Sequence, residues 1–135
     1  TSGDDYYYLL RQPNGELIVQ SYVLPCAIGE CNNGAAIRYR TGTVRVDMAR
    51  NGTLTLIDDG SLAAEGGTIS QPVPEAYLLV FNTQAAVRLT AELIPSMNVY
   101  SLRISIRLGA SYRGNVAGLV GNFNRNRNDE RGLPD

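Results

Sequence analysis

Histidine and tryptophan are absent from this sequence, and so is lysine, which leaves arginine as the whole of its 12 basic residues. Without histidine the chain lacks the commonest general base near neutral pH and the commonest zinc ligand. Without lysine it has neither a Schiff-base nucleophile nor the phosphate-binding lysine of a P-loop. Its serines have no histidine to activate them, and Ser111-Tyr112 forms no nucleophile elbow. The adjacent carboxylates Asp4-Asp5 and Asp58-Asp59 point to opposite faces of any strand that carries them, so neither pair makes a catalytic dyad. These gaps remove most enzyme chemistry, and the chain reads as a non-enzyme. No apolar run approaches the roughly 18 residues of a bilayer span, which argues against membrane insertion. The net charge of -1 provides no field to draw the chain onto nucleic acid. No signal peptide opens the sequence; Thr-Ser-Gly-Asp-Asp reads as a mature or excised start.

What is present is a two-residue rhythm. The length of 135 residues fits one domain, and 44% apolar residues suffice for a packed core. Leu102, Ile104, Ile106 and Leu108 alternate with Arg103, Ser105 and Arg107, the pattern of a half-buried antiparallel strand with a guanidinium-lined outer face. Thr43 to Met48 repeats it, and further β-rich runs cover Tyr6 to Leu10, Glu16 to Tyr22, Ala35 to Arg40, Thr53 to Ile57, Tyr77 to Phe81 and Ala85 to Leu93. Pro13-Asn14-Gly15, Thr41-Gly42, Asn51-Gly52 and Asp58-Asp59-Gly60 punctuate these runs with residues that tolerate the positive φ of tight turns. No stretch reads as an amphipathic helix. The expectation is an all-β domain of eight or more strands, an antiparallel β-sandwich or irregular barrel with a C-terminal Asn-rich loop.

Several features invite a role. Cys26 and Cys31 are favoured as a local disulfide across a turn, with a pair of inert thiols as the alternative. Such a bond contributes about 2 kcal/mol by closing a short loop and implies an oxidising compartment. Asn51-Gly52-Thr53 is a glycosylation sequon on an expected turn, although Asn-Gly also serves simply to make a hairpin. Arg38, Arg40 and Arg45 are expected to share one sheet face, and Arg103 with Arg107 another. These faces either receive acidic partners or are solvated and balanced by Asp47 and Glu92. Tyr6, Tyr7 and Tyr8 read as alternating core and surface rings of a strand before they read as a binding platform.

The densest set of oxygen donors lies near the C-terminus. Asn122, Asn124, Asn126 and Asn128 alternate, and Asp129 follows. Closely spaced side-chain and backbone oxygens suit calcium, which takes roughly six to eight of them in an adaptable shell. An EF-hand is excluded because the acidic positions, the sixth-position glycine and the flanking helices are missing. An Asn-rich turn using its own hydrogen bonds is the competing reading.

Gly118-Leu119-Val120-Gly121-Asn122-Phe123-Asn124, followed by Asn126-Arg127-Asn128-Asp129, resembles the C-terminal signature of von Willebrand factor type D domains. Ser111 to Val116 matches its lead-in, and Tyr7 to Leu10 with Leu17 to Gln20 resemble two of its strands. The resemblance runs from about Gly3 to Glu130 and implies a β-rich sandwich with calcium bound in this loop. By position the ligands are the side chains of Asn122, Asn124, Asn128 and Asp129 and the backbone carbonyl of Asn126. Three positions depart from the pattern: Val120 stands for a cysteine, Arg125 for a glycine and Glu130 for an aspartate. The family's opening Gly-Asp-Pro-His and Thr-Phe-Asp-Gly segments, the latter with an aspartate that completes the calcium shell, are not in this sequence. The resemblance is thus to an N-terminally truncated, low-cysteine variety, a single type D-like domain over residues 1–135.

On this resemblance the chain is expected to be an extracellular structural or adhesive module of a larger secreted or cell-surface protein. Its partners are then neighbouring domains of the same protein or other extracellular proteins. A ligand-binding module that takes a glycan or lipid on a sheet face is the alternative. Part of a secreted luciferase-like enzyme is a third reading.

Overall fold

Alternating burial builds two sheets whose inner faces share one core. The computed structural model describes residues 6–11, 16–26 and 29–112. The first sheet takes β1 (Tyr6–Arg11), β2 (Leu17–Cys26), β3 (Gly29–Tyr39), β4 (Gly42–Met48) and β5 (Leu54–Asp58). The second takes β6 (Thr68–Val73), β7 (Ala76–Asn82), β8 (Ala85–Ile94) and β9 (Val99–Leu108). Strands lie in sequence order in each sheet, every pair antiparallel, so each sheet is a meander. One helical turn, α1 (Ser61–Ala64), joins the sheets, and a 3-10 turn, Ala110–Tyr112, follows β9. No helix among the described residues is long and apolar enough to cross a membrane. The fold is the all-β sandwich expected from the alternation.

Register explains the core. Val19 pairs with Ile37 and Ile37 with Val44, a row of β-branched side chains turned inward. Opposite them, Leu79 pairs with Val87 and Val87 with Ile106. Leu17, Val19, Val46, Leu79, Val87 and Leu89 are wholly buried, and each such side chain contributes about 1.5–3 kcal/mol through area removed from water. The rings of Tyr39 and Phe81 meet between the sheets at 5.2 Å, an offset contact favoured by their quadrupoles. Leu62 of α1, also fully buried, belongs to the same cluster.

Three local readings differ from the sequence expectation. Asp58-Asp59-Gly60 does not close a hairpin. Asp58 Oδ1 accepts the Gly60 N–H at 2.9 Å and Asp59 Oδ1 accepts the Ser61 N–H at 3.0 Å, which launches α1 instead. Both carboxylates are thereby committed to the turn, and the Ser61 hydroxyl and N–H hold the Asp59 carboxyl below its ordinary pKa. The β2–β3 hairpin runs further than Tyr22, its pairing continuing to Cys26 opposite Gly29 past a bulge at Asn33. β6, finally, had no counterpart among the runs read from sequence.

Candidate functional site

The Asn-rich segment expected to hold calcium, Asn122, Asn124, Asn126, Asn128 and Asp129, lies outside the described residues. Its donors are all oxygens, four amide groups and one carboxylate, a set that fits a hard divalent cation such as calcium and not a soft metal. Among the described residues no group of three or more His, Cys, Asp or Glu side chains gathers to hold a metal.

The approach to that segment is built by one asparagine. Asn82 ends β7 at the β7–β8 turn, where a register shift after Val80 re-aims it. Its Nδ2 donates to Tyr39 Oη at 3.1 Å and to Tyr112 Oη at 3.0 Å, while its Oδ1 accepts the Gln84 N–H at 2.7 Å. The amide thus ties the end of β3 in one sheet to the end of β7 in the other and to the turn that follows β9. Tyr112 is buried, and burial pushes its phenol above its ordinary pKa. Sequence reasoning missed this clasp; 43 and 30 residues separate its partners, and no local signal joins them.

Opposite this end of the sandwich lie the disulfide and the sequon. Cys26 and Cys31 are bonded, with Cα atoms 5.8 Å apart, across the distal end of the β2–β3 hairpin. Of the two readings left open by the sequence, the structure carries the bonded one. The disulfide borders a cleft of about 800 Å³, lined also by Asn33, Met48, Arg50 and Tyr100. Asn51 sits beside it in the β4–β5 turn, where Gly52 N–H donates to Ala49 O and Ala49 N–H to Thr53 O, both at 2.9 Å. Gly52 has φ 87°, the left-handed residue that completes a three-residue hairpin loop. A Cβ there would fall 2.7 Å from the Tyr100 ring, so this ring packs against the turn itself.

The arginines sort differently from the expectation. Arg38 and Arg45 do share the outer face of the first sheet, but Arg40 does not join them. It occupies the two-residue β3–β4 turn at φ 57°, lies over the Tyr39 ring at 5.0 Å and pairs with Glu16 at 3.6 Å. Arg45 is answered by Asp47 at 2.9 Å. On the second sheet, register places Arg88 opposite Ser105, between Arg103 and Arg107. Three exposed guanidinium groups therefore line one face at intervals of about 7 Å along the strands. Glu92 pairs with Arg103 at 3.3 Å. The side chains of Tyr6, Tyr7 and Tyr8 lie outside the described residues.

A two-meander β-sandwich, stapled by a disulfide and followed by an oxygen-rich segment, is the class of protein so defined. The chain belongs to the von Willebrand factor type D domain family, whose model matches residues 1–135. It is similar to human Mucin-5B, 30% identical over 69 residues, which is 51% of this chain and 1% of that protein. The chain therefore spans a very small part of the curated relative it matches.

Proposed function

We propose that this chain is a non-enzymatic, extracellular structural or adhesive module of a larger secreted or cell-surface protein. The observation that carries this reading is the family match over residues 1–135 on a disulfide-bonded sandwich. The likeness to a mucin supports it. In this reading the module works through neighbouring domains of its own chain or other extracellular proteins. Its C-terminal segment holds calcium through the side chains of Asn122, Asn124, Asn128 and Asp129 and the carbonyl of Asn126. When bound, the ion cross-links that segment electrostatically; the clasp at Asn82 holds the chain 10 residues before its first ligand.

One carboxylate among neutral donors gives modest affinity, of the extracellular order of about 10⁻⁴–10⁻³ M. By mass action, millimolar calcium then stabilises the fold by about 1 kcal/mol, a rise of a few degrees in melting temperature. Thermal unfolding with and without calcium checks this. Asp129→Ala is expected to abolish most of the rise and Asn126→Ala to preserve more of it, since Asn126 contributes its backbone. Arg125→Gly is expected to enlarge it by removing a cation beside the ion. A melting curve indifferent to calcium removes the ion from the proposal.

A second reading, a module that takes an anionic glycan on a sheet face, is favoured by one observation. Arg88, Arg103 and Arg107 line the outer face of the second sheet against a single paired Glu92. Around Arg38 and Arg45, by contrast, Asp47 and Asp59 offset the charge. Exposed charges of this kind act through salt-screened attraction. Replacing Arg88, Arg103 and Arg107 together by alanine is expected to lower the salt concentration that elutes the protein from an immobilised sulfated polysaccharide. Replacing Arg38 and Arg45 should lower it less. Equal elution of all three proteins, or no retention of any, ends this reading.

A further inference from the structure

The structure assigns Asn51 as the acceptor of an N-linked glycan, carried on the end of the sandwich opposite the Asn82 clasp. The chain contains one Asn-x-Ser/Thr sequence, Asn51-Gly52-Thr53. Such a sequence in a β-strand interior would engage its backbone in a ladder, and on the inner face it would bury both side chains. Here Asn51 and Thr53 are both exposed, in the loop between Met48 and Leu54.

Local geometry favours the transfer as well as the product. Asn51 Oδ1 accepts the Thr53 N–H at 3.0 Å, an Asx-type turn that the tripeptide forms by itself. It is therefore available to the chain before the sandwich closes. That bond occupies the amide oxygen and leaves Nδ2 without a partner among the described residues, facing solvent. Glycosylation joins Asn51 Nδ2 to the anomeric carbon of an N-acetylglucosamine residue. The anomeric C–O bond to a polyprenyl diphosphate donor breaks, the diphosphate leaves with the electron pair, and one Nδ2 proton passes to a base of the transferase. Nothing in the fold has to move to admit the sugar. The turn is anchored from below, through Gly52 on the Tyr100 ring, and not through the Asn51 side chain.

A competing fate of the same dipeptide is deamidation, in which the Gly52 nitrogen attacks the Asn51 side-chain carbonyl. In the folded protein that nitrogen is tied to Ala49 O at 2.9 Å, which opposes the attack. The glycan proposal depends on the extracellular reading only for the route the chain travels, and an imposed route separates the two. The full chain is secreted from a eukaryotic host behind a cleavable signal peptide. Its intact mass is then measured before and after peptide N-glycosidase in heavy-oxygen water. The expected result is a glycan mass that disappears on digestion and leaves heavy-oxygen aspartate at position 51. Asn51→Gln and Thr53→Ala should lose it, while both variants are still secreted. Secreted protein with unmodified Asn51, or with aspartate lacking the heavy label, overturns the assignment and leaves the extracellular reading untouched.

Discussion

Gly42→Ala is expected to destabilise the domain by about 3 kcal/mol, the upper part of the range for overpacking a filled site. Gly42 opens β4 directly after the Arg40-Thr41 turn. An added Cβ would lie 2.7 Å from Leu62 Cα, 2.7 Å from Ser61 O and 2.9 Å from Leu62 N. All three are backbone atoms, so no side-chain rotation relieves them. Nor can α1 withdraw cheaply. Ser61 Oγ accepts the Thr43 N–H at 2.9 Å, and Leu62 is fully buried beneath it. Retreat of α1 would break that bond and open a cavity around Leu62. A loss of this size lowers the melting temperature by roughly 10 °C for a domain of this length. Gly60→Ala is the control, because Gly60 has φ 86° but nothing within 4 Å of its Cβ position. It should cost about 1 kcal/mol from backbone strain alone. Urea unfolding of the two variants checks the contrast; equal losses would mean that β4 and α1 are not in contact.

The second large effect falls on the clasp. Asn82→Ala removes three hydrogen bonds at once and leaves the hydroxyls of two buried tyrosines, Tyr39 and Tyr112, without their donor. Leaving buried polar groups unpaired costs about 1–3 kcal/mol each, and a partly wet hydroxyl less, so the expected loss is about 3 kcal/mol. Tyr112→Phe deletes one of the stranded oxygens and should cost about 1 kcal/mol. If the network acts as a unit, Asn82→Ala in the Tyr112→Phe background will cost measurably less than in the parent, by about 1 kcal/mol of coupling. Strict additivity in this cycle would show that Asn82 and Tyr112 do not bond.

How much of this was legible in the sequence depended on whether a residue's neighbours were local. β4 could be read directly, and so could β9 from Tyr100 onward, because apolar and polar residues alternate there without interruption. β6 could not: Ile69 and Val73 are its only large apolar residues, Pro72 interrupts it, and as an edge strand it is mostly exposed. The far part of the β2–β3 hairpin was hidden by Pro25, by the cysteines and by the bulge at Asn33, which resets the alternation. At Asp58-Asp59-Gly60 the composition was read correctly as a turn, but a single turn of helix is too short to leave a periodic trace. The sequon and the cysteine pair were legible because each is a local signal, the cysteines only five positions apart. Arg88 was overlooked between Arg103 and Arg107 because strand register, a tertiary fact, brings them together. The oxygen-rich segment was legible as chemistry alone, and its geometry lies outside the described residues.

The meander order of the strands bears on how quickly this domain assembles. Within each sheet every strand pairs with the next one in the chain, so the loops that must close are short and the chain entropy lost before the first cross-strand contact is small. Sandwiches whose sheets interleave distant strands must first find partners across long separations, and they fold correspondingly slowly. Here each sheet zips from local hairpins, and the chain passes from one sheet to the other once among the described residues, through α1. Docking of one finished sheet on the other is then the late event. The Tyr39–Phe81 contact and the Asn82 clasp, which exist only after docking, act mainly on the rate of unfolding and little on the rate of folding.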